Sequence, residues 1–177
     1  MVSEIVHVML KPDTLEFGMR DTILRELLAV GGELVFAKKL VLNLKQIADI
    51  YPYFDNDRAK PTVFHYFTTR ETEHLAFVGI PGIHLKYQKA KGKTGTGVGI
   101  KGKYYTRYTK LTEAELKSWF EGTLLNMEAV DLQMFGRDII HVPNCPSESV
   151  NDLLSILDPS EVRAIEERYP GILSICA

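Results

Sequence analysis

The sequence predicts an α+β sandwich of the ferredoxin-like, split βαβ type, in which an antiparallel sheet carries helices on its faces. Three observations predict it. The elements run strand, helix, strand and then strand, helix, strand. The 177 residues, 45% hydrophobic and 25% charged, suit one compact core. No internal repeat or low-complexity tract divides the chain, so residues 1–177 read as a single domain. Such a fold hosts many activities, and function has to be argued from particular residues.

The first strand is the short apolar stretch Glu4 to Leu10, which stops at the polar turn Lys11-Pro12-Asp13. Ile23, Leu24, Leu27 and Leu28 then fall at helical spacing between Met19 and Val30, opposite Arg20, Asp21, Arg25 and Glu26, and Gly31-Gly32 closes the helix. Leu34 to Leu42, rich in Val, Leu and Phe, predicts the second strand. Asn43 and Gln46 have the spacing of a capping box and start a short helix running from Leu44 to about Tyr51. The polar segment Pro52 to Pro61 reads as turns, and Leu75 to Ile80 as a third strand broken by Pro81-Gly82. Thr112 and Glu115 open a helix bearing Leu116, Trp119, Phe120, Leu124 and Leu125. Val130 to Val142 alternates as a fourth strand with His141 near its end. Ser147 to Leu157 and Ser160 to Tyr169 read as helices, the second stopped by Pro170-Gly171.

A net charge of −2 gives no global attraction to nucleic acid or to an anionic membrane. No stretch approaches the roughly 20 apolar residues of a membrane span, and the N-terminus has no basic leader, so the chain reads as soluble and cytoplasmic. The two cysteines, Cys145 and Cys176, have no metal-ligand spacing and read as incidental thiols. Charge is uneven locally: Lys86 to Lys110 holds eight basic residues and no acidic one, around a glycine-rich run from Gly92 to Gly99. This segment reads as a loop with a β-hairpin leading to Tyr104-Tyr105, and with the helix after it forms an insertion at about 86–125. Gly92-Lys93-Thr94 lacks the opening glycine of a phosphate-binding P-loop, since Tyr87 stands there. Gly97-Val98-Gly99-Ile100-Lys101-Gly102 has the G-x-G-x-x-G form but leads into a strand-like run, not a helix whose N-terminus could meet a pyrophosphate.

Two separated segments carry more chemistry. Val8 to Asp13 ends a strand in Lys-Pro-Asp, and Gly136-Arg137-Asp138-Ile139-Ile140-His141 ends a late strand before a helix with acidic residues. A neutral imidazole is a good nucleophile near neutral pH, and lysine neutralises the charge of a transferring phosphoryl group. Together these segments resemble the two signature regions of the nucleoside diphosphate kinases. The resemblance covers Glu4 to Tyr51 and Gly136 to Leu157 well, Leu75 to Gly82 loosely, and fails in detail between Ile83 and Phe135.

The resemblance implies that His141 attacks the γ-phosphorus of a nucleoside triphosphate, becomes a phosphohistidine and passes the group to a nucleoside diphosphate, with Mg²⁺ on the nucleotide. It also implies that Lys11 contacts phosphate, that Tyr51 lines the site, and that Asp152 stands where the family has a glutamate orienting the histidine. Thr94, with Lys89 and Lys93, would hold β-phosphate, although the family's preceding arginine is Gln88 or Lys89 here. Asp138 replaces the family's asparagine, Pro143 its serine, and Glu128 stands where an arginine contacts the transferring phosphate; Arg107 is the candidate substitute. Phe64 is the nearest choice for the aromatic that stacks on the base. A symmetric homo-oligomer is a further implication. Two other readings stand beside the enzyme. One is a nucleotide-binding or regulatory module of the same fold with weak catalysis. The other is a nucleic-acid binder using the basic segment, with Tyr104, Tyr105 and Tyr108 as stacking surfaces. The remaining histidines, His7, His65, His74 and His84, read as surface or core residues.

Overall fold

The computed structural model describes residues 3–52, 60–93, 96–104 and 139–174. The described strands are β1 (Glu4–Leu10), β2 (Glu33–Leu40), β3 (Thr72–Gly79) and β4 (Ile140–His141). They form one antiparallel sheet in the order β2-β3-β1-β4. The helices are α1 (Pro12–Glu16), α2 (Arg20–Leu28), α3 (Leu44–Ile50), α4 (Lys60–Thr69), α5 (Ile83–Lys91), α6 (Gly99–Tyr104), α7 (Pro146–Ile156) and α8 (Pro159–Arg168). This is the α+β sandwich that the order of elements predicts. None of the described helices is long and apolar enough to cross a membrane.

Strand parity divides the core in two, because successive side chains point to opposite sheet faces. Ile5 and Met9 of β1, with Ala76 and Val78 of β3, pack against α3, α4, α7 and α8. Val6, Val8 and Leu10, with Leu75 and Phe77, pack against α2, α5 and Ile100 of α6. The predicted capping box is formed: the Asn43 side chain accepts from the Gln46 backbone N–H, and the Gln46 side chain accepts from the Asn43 N–H. Asp158 and Glu161 build a second one at α8.

Two sequence expectations are corrected. Of the segment Pro52 to Pro61 expected as turns, residues 53–59 lie outside the described residues, and Lys60 and Pro61 open α4, where Pro61 sits in the first turn and no intrahelical N–H is needed. The basic segment contains no hairpin among its described residues. It forms α5 and α6, because Ile83 and Tyr87 lie one helical turn apart and are both buried against the sheet. Its glycines serve the crossing of these helices. Gly92 and Gly99 both have positive φ, and a Cβ built on Gly99 would stand 2.6 Å from the Gly92 Cα. The predicted helix after Thr112 and the first part of the predicted Val130–Val142 strand lie outside the described residues.

Candidate active site

The Lys11-Pro12-Asp13 turn and the end of β4 are far apart in sequence and adjacent in space. Pro12 occupies the first position of α1 and holds Lys11 extended (φ −75°, ψ 161°), because the residue before a proline avoids the helical region. The Lys11 N–H donates to the Ile139 carbonyl at 3.1 Å, and the Thr14 hydroxyl donates to the same oxygen. Met9 pairs with His141 across the β1–β4 ladder, so His141 projects from the sheet face that carries Ile5, His7 and Met9.

Helix α7 lies on that face and supplies Asp152. Its Oδ2 accepts from His7 Nδ1 at 3.0 Å and forms an ion-pair contact with His141 Nε2 at 3.3 Å. Burial pushes the Asp152 carboxyl up, yet the hydrogen bonds from His141 and His7 more than offset it and leave the carboxyl below its ordinary value. Asp152 is therefore ionised near neutral pH. Burial lowers the His141 imidazole below its ordinary value against the opposing pull of Asp152, which keeps the ring neutral near pH 7. A neutral ring that donates from Nε2 carries its lone pair on Nδ1, and among the described residues Nδ1 has no hydrogen-bond partner.

Two further groups frame the ring. Tyr51, the C-cap of α3, meets His141 edge-on with ring centroids 5.0 Å apart. Lys11, almost wholly buried, holds its ammonium 5.6 Å from the Tyr51 ring centroid and 5.7 Å from that of Phe67. A cavity of about 320 Å³ opens beside the histidine, lined by Asp49, Ile50, Tyr51, Pro52, His141, Asn144, Glu148, Asn151 and Asp152. A second cavity of about 590 Å³ shares Asn144 with it and is lined by Gln88, Lys89, Lys91, Gly92, Lys93 and Lys101. The two meet at the turn after His141. Gln88 donates its side-chain N–H groups to the Val142 and Pro143 carbonyls, and Lys91 donates to Val142 at 3.1 Å.

Of the residues singled out in the sequence, His141, Asp152, Tyr51 and Lys11 come together. Lys89 and Lys93 line the adjoining basic cavity. Phe64 packs partly buried against the core and is not among the residues lining either cavity. Thr94, Arg107 and Asp138 lie outside the described residues. Tyr104, a stacking surface in the nucleic-acid reading, packs against the second core cluster and donates its hydroxyl to Glu26 at 2.6 Å. His65 is exposed and His84 buried.

The sequence assigns His7 and His74 surface or core roles, and in the structure both belong to the buried network beside His141. His7 Nε2 stands 3.0 Å from His74 Nδ1, and His74 Nε2 stands 3.0 Å from the Thr72 hydroxyl. The available signal was the presence of an imidazole inside an otherwise apolar strand, since a buried polar group requires a partner.

Among described residues, no grouping of three or more His, Cys, Asp or Glu could hold a metal ion. No family model and no curated protein matches the sequence. Solved structures do match in fold. A nucleoside diphosphate kinase family protein from Babesia bovis superposes with a TM-score of 0.62 at 14% identity, over 89% of this chain and 90% of that one. A transition-state mimic of the nucleoside-diphosphate kinase from Borrelia burgdorferi, with bound vanadate and ADP, gives 0.64 at 14% identity over 91% and 90%. The nucleoside diphosphate kinase from Encephalitozoon cuniculi, in its apo form, gives 0.61 at 13% identity over 89% and 91%. At these identities the likeness is one of fold.

Proposed function

We propose that this chain is a phosphotransferase that moves the γ-phosphoryl group of a nucleoside triphosphate to a nucleoside diphosphate through phospho-His141. The observation that carries the reading is the Asp152–His141 pair. An ionised, buried carboxylate fixes the proton on Nε2 and leaves the Nδ1 lone pair for attack, at the edge of a cavity that adjoins a basic one.

In the first half-reaction Nδ1 forms a bond to the γ-phosphorus as the bond to the bridging oxygen breaks, and the electron pair leaves with the nucleoside diphosphate. The ring becomes cationic while keeping its Nε2 proton, and Asp152 stabilises that charge. In the second, a terminal oxygen of the acceptor diphosphate attacks the same phosphorus, and the P–N pair returns to Nδ1. Lys11, held at the turn beside β4, supplies fixed positive charge, and Lys89 and Lys93 receive the remaining phosphates. Arg107 is assigned the transition-state cation. Mg²⁺ enters as part of the substrate. Asp49 and Glu148 line the histidine's cavity, and their carboxylates fit a metal-complexed polyphosphate better than a bare one.

Incubation with γ-labelled ATP and Mg²⁺ should place an acid-labile, alkali-stable label on the protein, and added diphosphate should remove it as triphosphate. A chain that binds ADP without ever taking label would instead be a nucleotide-binding module of the same fold.

A further inference from the structure

We infer that His7 is a positioning residue for His141, acting through Asp152, and that His74 and Thr72 set the proton order of the chain behind it. The inference rests on the proposed role of His141. It comes from a continuous run of groups, buried from Thr72 to Asp152 and part-exposed at its two ends: Leu40 carbonyl, Thr72 hydroxyl, His74, His7, Asp152 and His141, spaced at 3.0, 3.0, 3.0, 3.0 and 3.3 Å.

Register explains how five elements, β2, β3, β1, α7 and β4, contribute to one line. His7 faces Ala76 and Met9 faces His74 across the β1–β3 ladder, so His7 and His74 are diagonal neighbours on one sheet face. Met9 faces His141 on the other side of β1, which makes His7 diagonal to His141 as well. The His7 and His74 rings lie nearly parallel, at 9°, with centroids 5.2 Å apart. Both are completely buried, and α7 brings Asp152 down onto the same face.

Donor counting constrains the chain. An ionised carboxylate only accepts, so His7 donates Nδ1–H to Asp152. The Thr72 hydroxyl has one proton. If it goes to the Leu40 carbonyl, His74 donates Nε2–H to the Thr72 oxygen, its Nδ1 accepts from His7 Nε2–H, and the His7 ring carries both protons. If the Thr72 proton goes to His74 Nε2, His74 donates Nδ1–H to His7 Nε2, and both rings are neutral. The two arrangements differ by one proton and one hydroxyl rotation. In both of them His7 points its Nδ1–H at Asp152. Oδ2 therefore has a fixed second donor from the interior, which holds the carboxylate at the one position where it also meets His141 Nε2.

The test compares two replacements of His7. His7→Asn places an amide N–H near Nδ1 and removes the link to His74; His7→Phe preserves a ring and removes every donor. His7→Phe is expected to lower kcat for phosphotransfer by about 10- to 100-fold with KM for the diphosphate nearly unchanged, as for other residues that orient a reacting ligand's partner. His7→Asn is expected to restore most of that loss. In ¹⁵N spectra of the nucleotide-free protein, His141 should be the Nε2–H tautomer in the parent and in His7→Asn, and a mixture in His7→Phe. An unchanged His141 tautomer in His7→Phe, or a His7→Asn variant no better than His7→Phe, overturns the inference. If the parent never takes label at His141, the phosphotransferase reading fails, while the tautomer measurement still decides on His7. Should His7→Phe not fold, Thr72→Val tests the ordering: with no hydroxyl facing Nε2, His74 should carry its proton on Nδ1, and an Nε2–H tautomer there overturns it.

Discussion

The two faces of the sheet are built from the same two central strands, β1 and β3, and solve different problems. One face is sealed with hydrocarbon: Val6, Val8, Leu10, Leu75 and Phe77 meet Ile23 and Leu27 of α2 and Ile83 and Tyr87 of α5. Its contacts are close enough that a side chain at Gly79 or Gly32 would force Ile83 or Tyr87 to shift, since an added Cβ would stand 2.8 Å from Ile83 and 2.7 Å from the Tyr87 hydroxyl. The other face interrupts its hydrocarbon with two imidazoles and a carboxylate on the way to His141. Buried polar groups that are fully partnered specify one arrangement, and partly partnered ones are costly. The face that gives up apolar contact is the one that gains control over a proton.

That contrast can be broken, and the largest expected effect is on the polar face. His141→Ala should abolish histidine labelling by Mg-ATP while leaving the unfolding midpoint close to the parent's. A variant that labels as well as the parent would remove His141 as nucleophile. On the apolar face, Leu27→Ala should cost about 2–5 kcal/mol of stability through lost burial and a cavity, with labelling per folded molecule unchanged. A loss of labelling there would show that the two faces are not separable. Asp152→Asn should lower phosphotransfer by about 10²-fold, because the amide can present its N–H to Nε2 and draw the ring proton to Nδ1. A rate within a factor of about three of the parent would leave the carboxylate only a packing role.

The smallest expected effect is on pH. Burial, with neighbouring His7, His141 and Lys38 adding to it, holds the His74 imidazole well below its ordinary value near 6.5. The unfolded chain thus binds more protons than the folded one once pH drops below about 6.5, so stability falls from there as pH is lowered toward the depressed folded value. His74→Gln should flatten that acid slope in denaturant titrations between about pH 7 and pH 5. An equal slope in the two proteins would assign it to other groups.

Much of the frame was legible because periodicity and caps are local. Met19 to Val30 encloses α2, and Asn43 with Gln46 announces α3. Helices α4 and α5 were not legible, since Pro61 in a first turn looks like a breaker and the lysines of α5 hide the spacing of Ile83 and Tyr87. In the site, Lys11, Tyr51, Asp152 and His141 could be named from motif spacing. His7 and His74 could not, because their meaning depends on cross-strand register, and a slip of one residue would have turned His7 to the apolar face. The basic cavity lay in between: its lysines were visible, but the crossing at Gly92 and Gly99 that shapes its floor was not.

The amide of Gln88 fastens the chain just beyond the histidine to the last turn of α5. One helix end is thereby both a wall of the lysine-lined cavity and a brace for the residue at the mouth of the other. The position of the ring is tied in this way to the position of that helix end. Cutting the brace with Gln88→Ala should broaden the His141 ring resonances and weaken their response to ADP, while ADP still binds through the lysines.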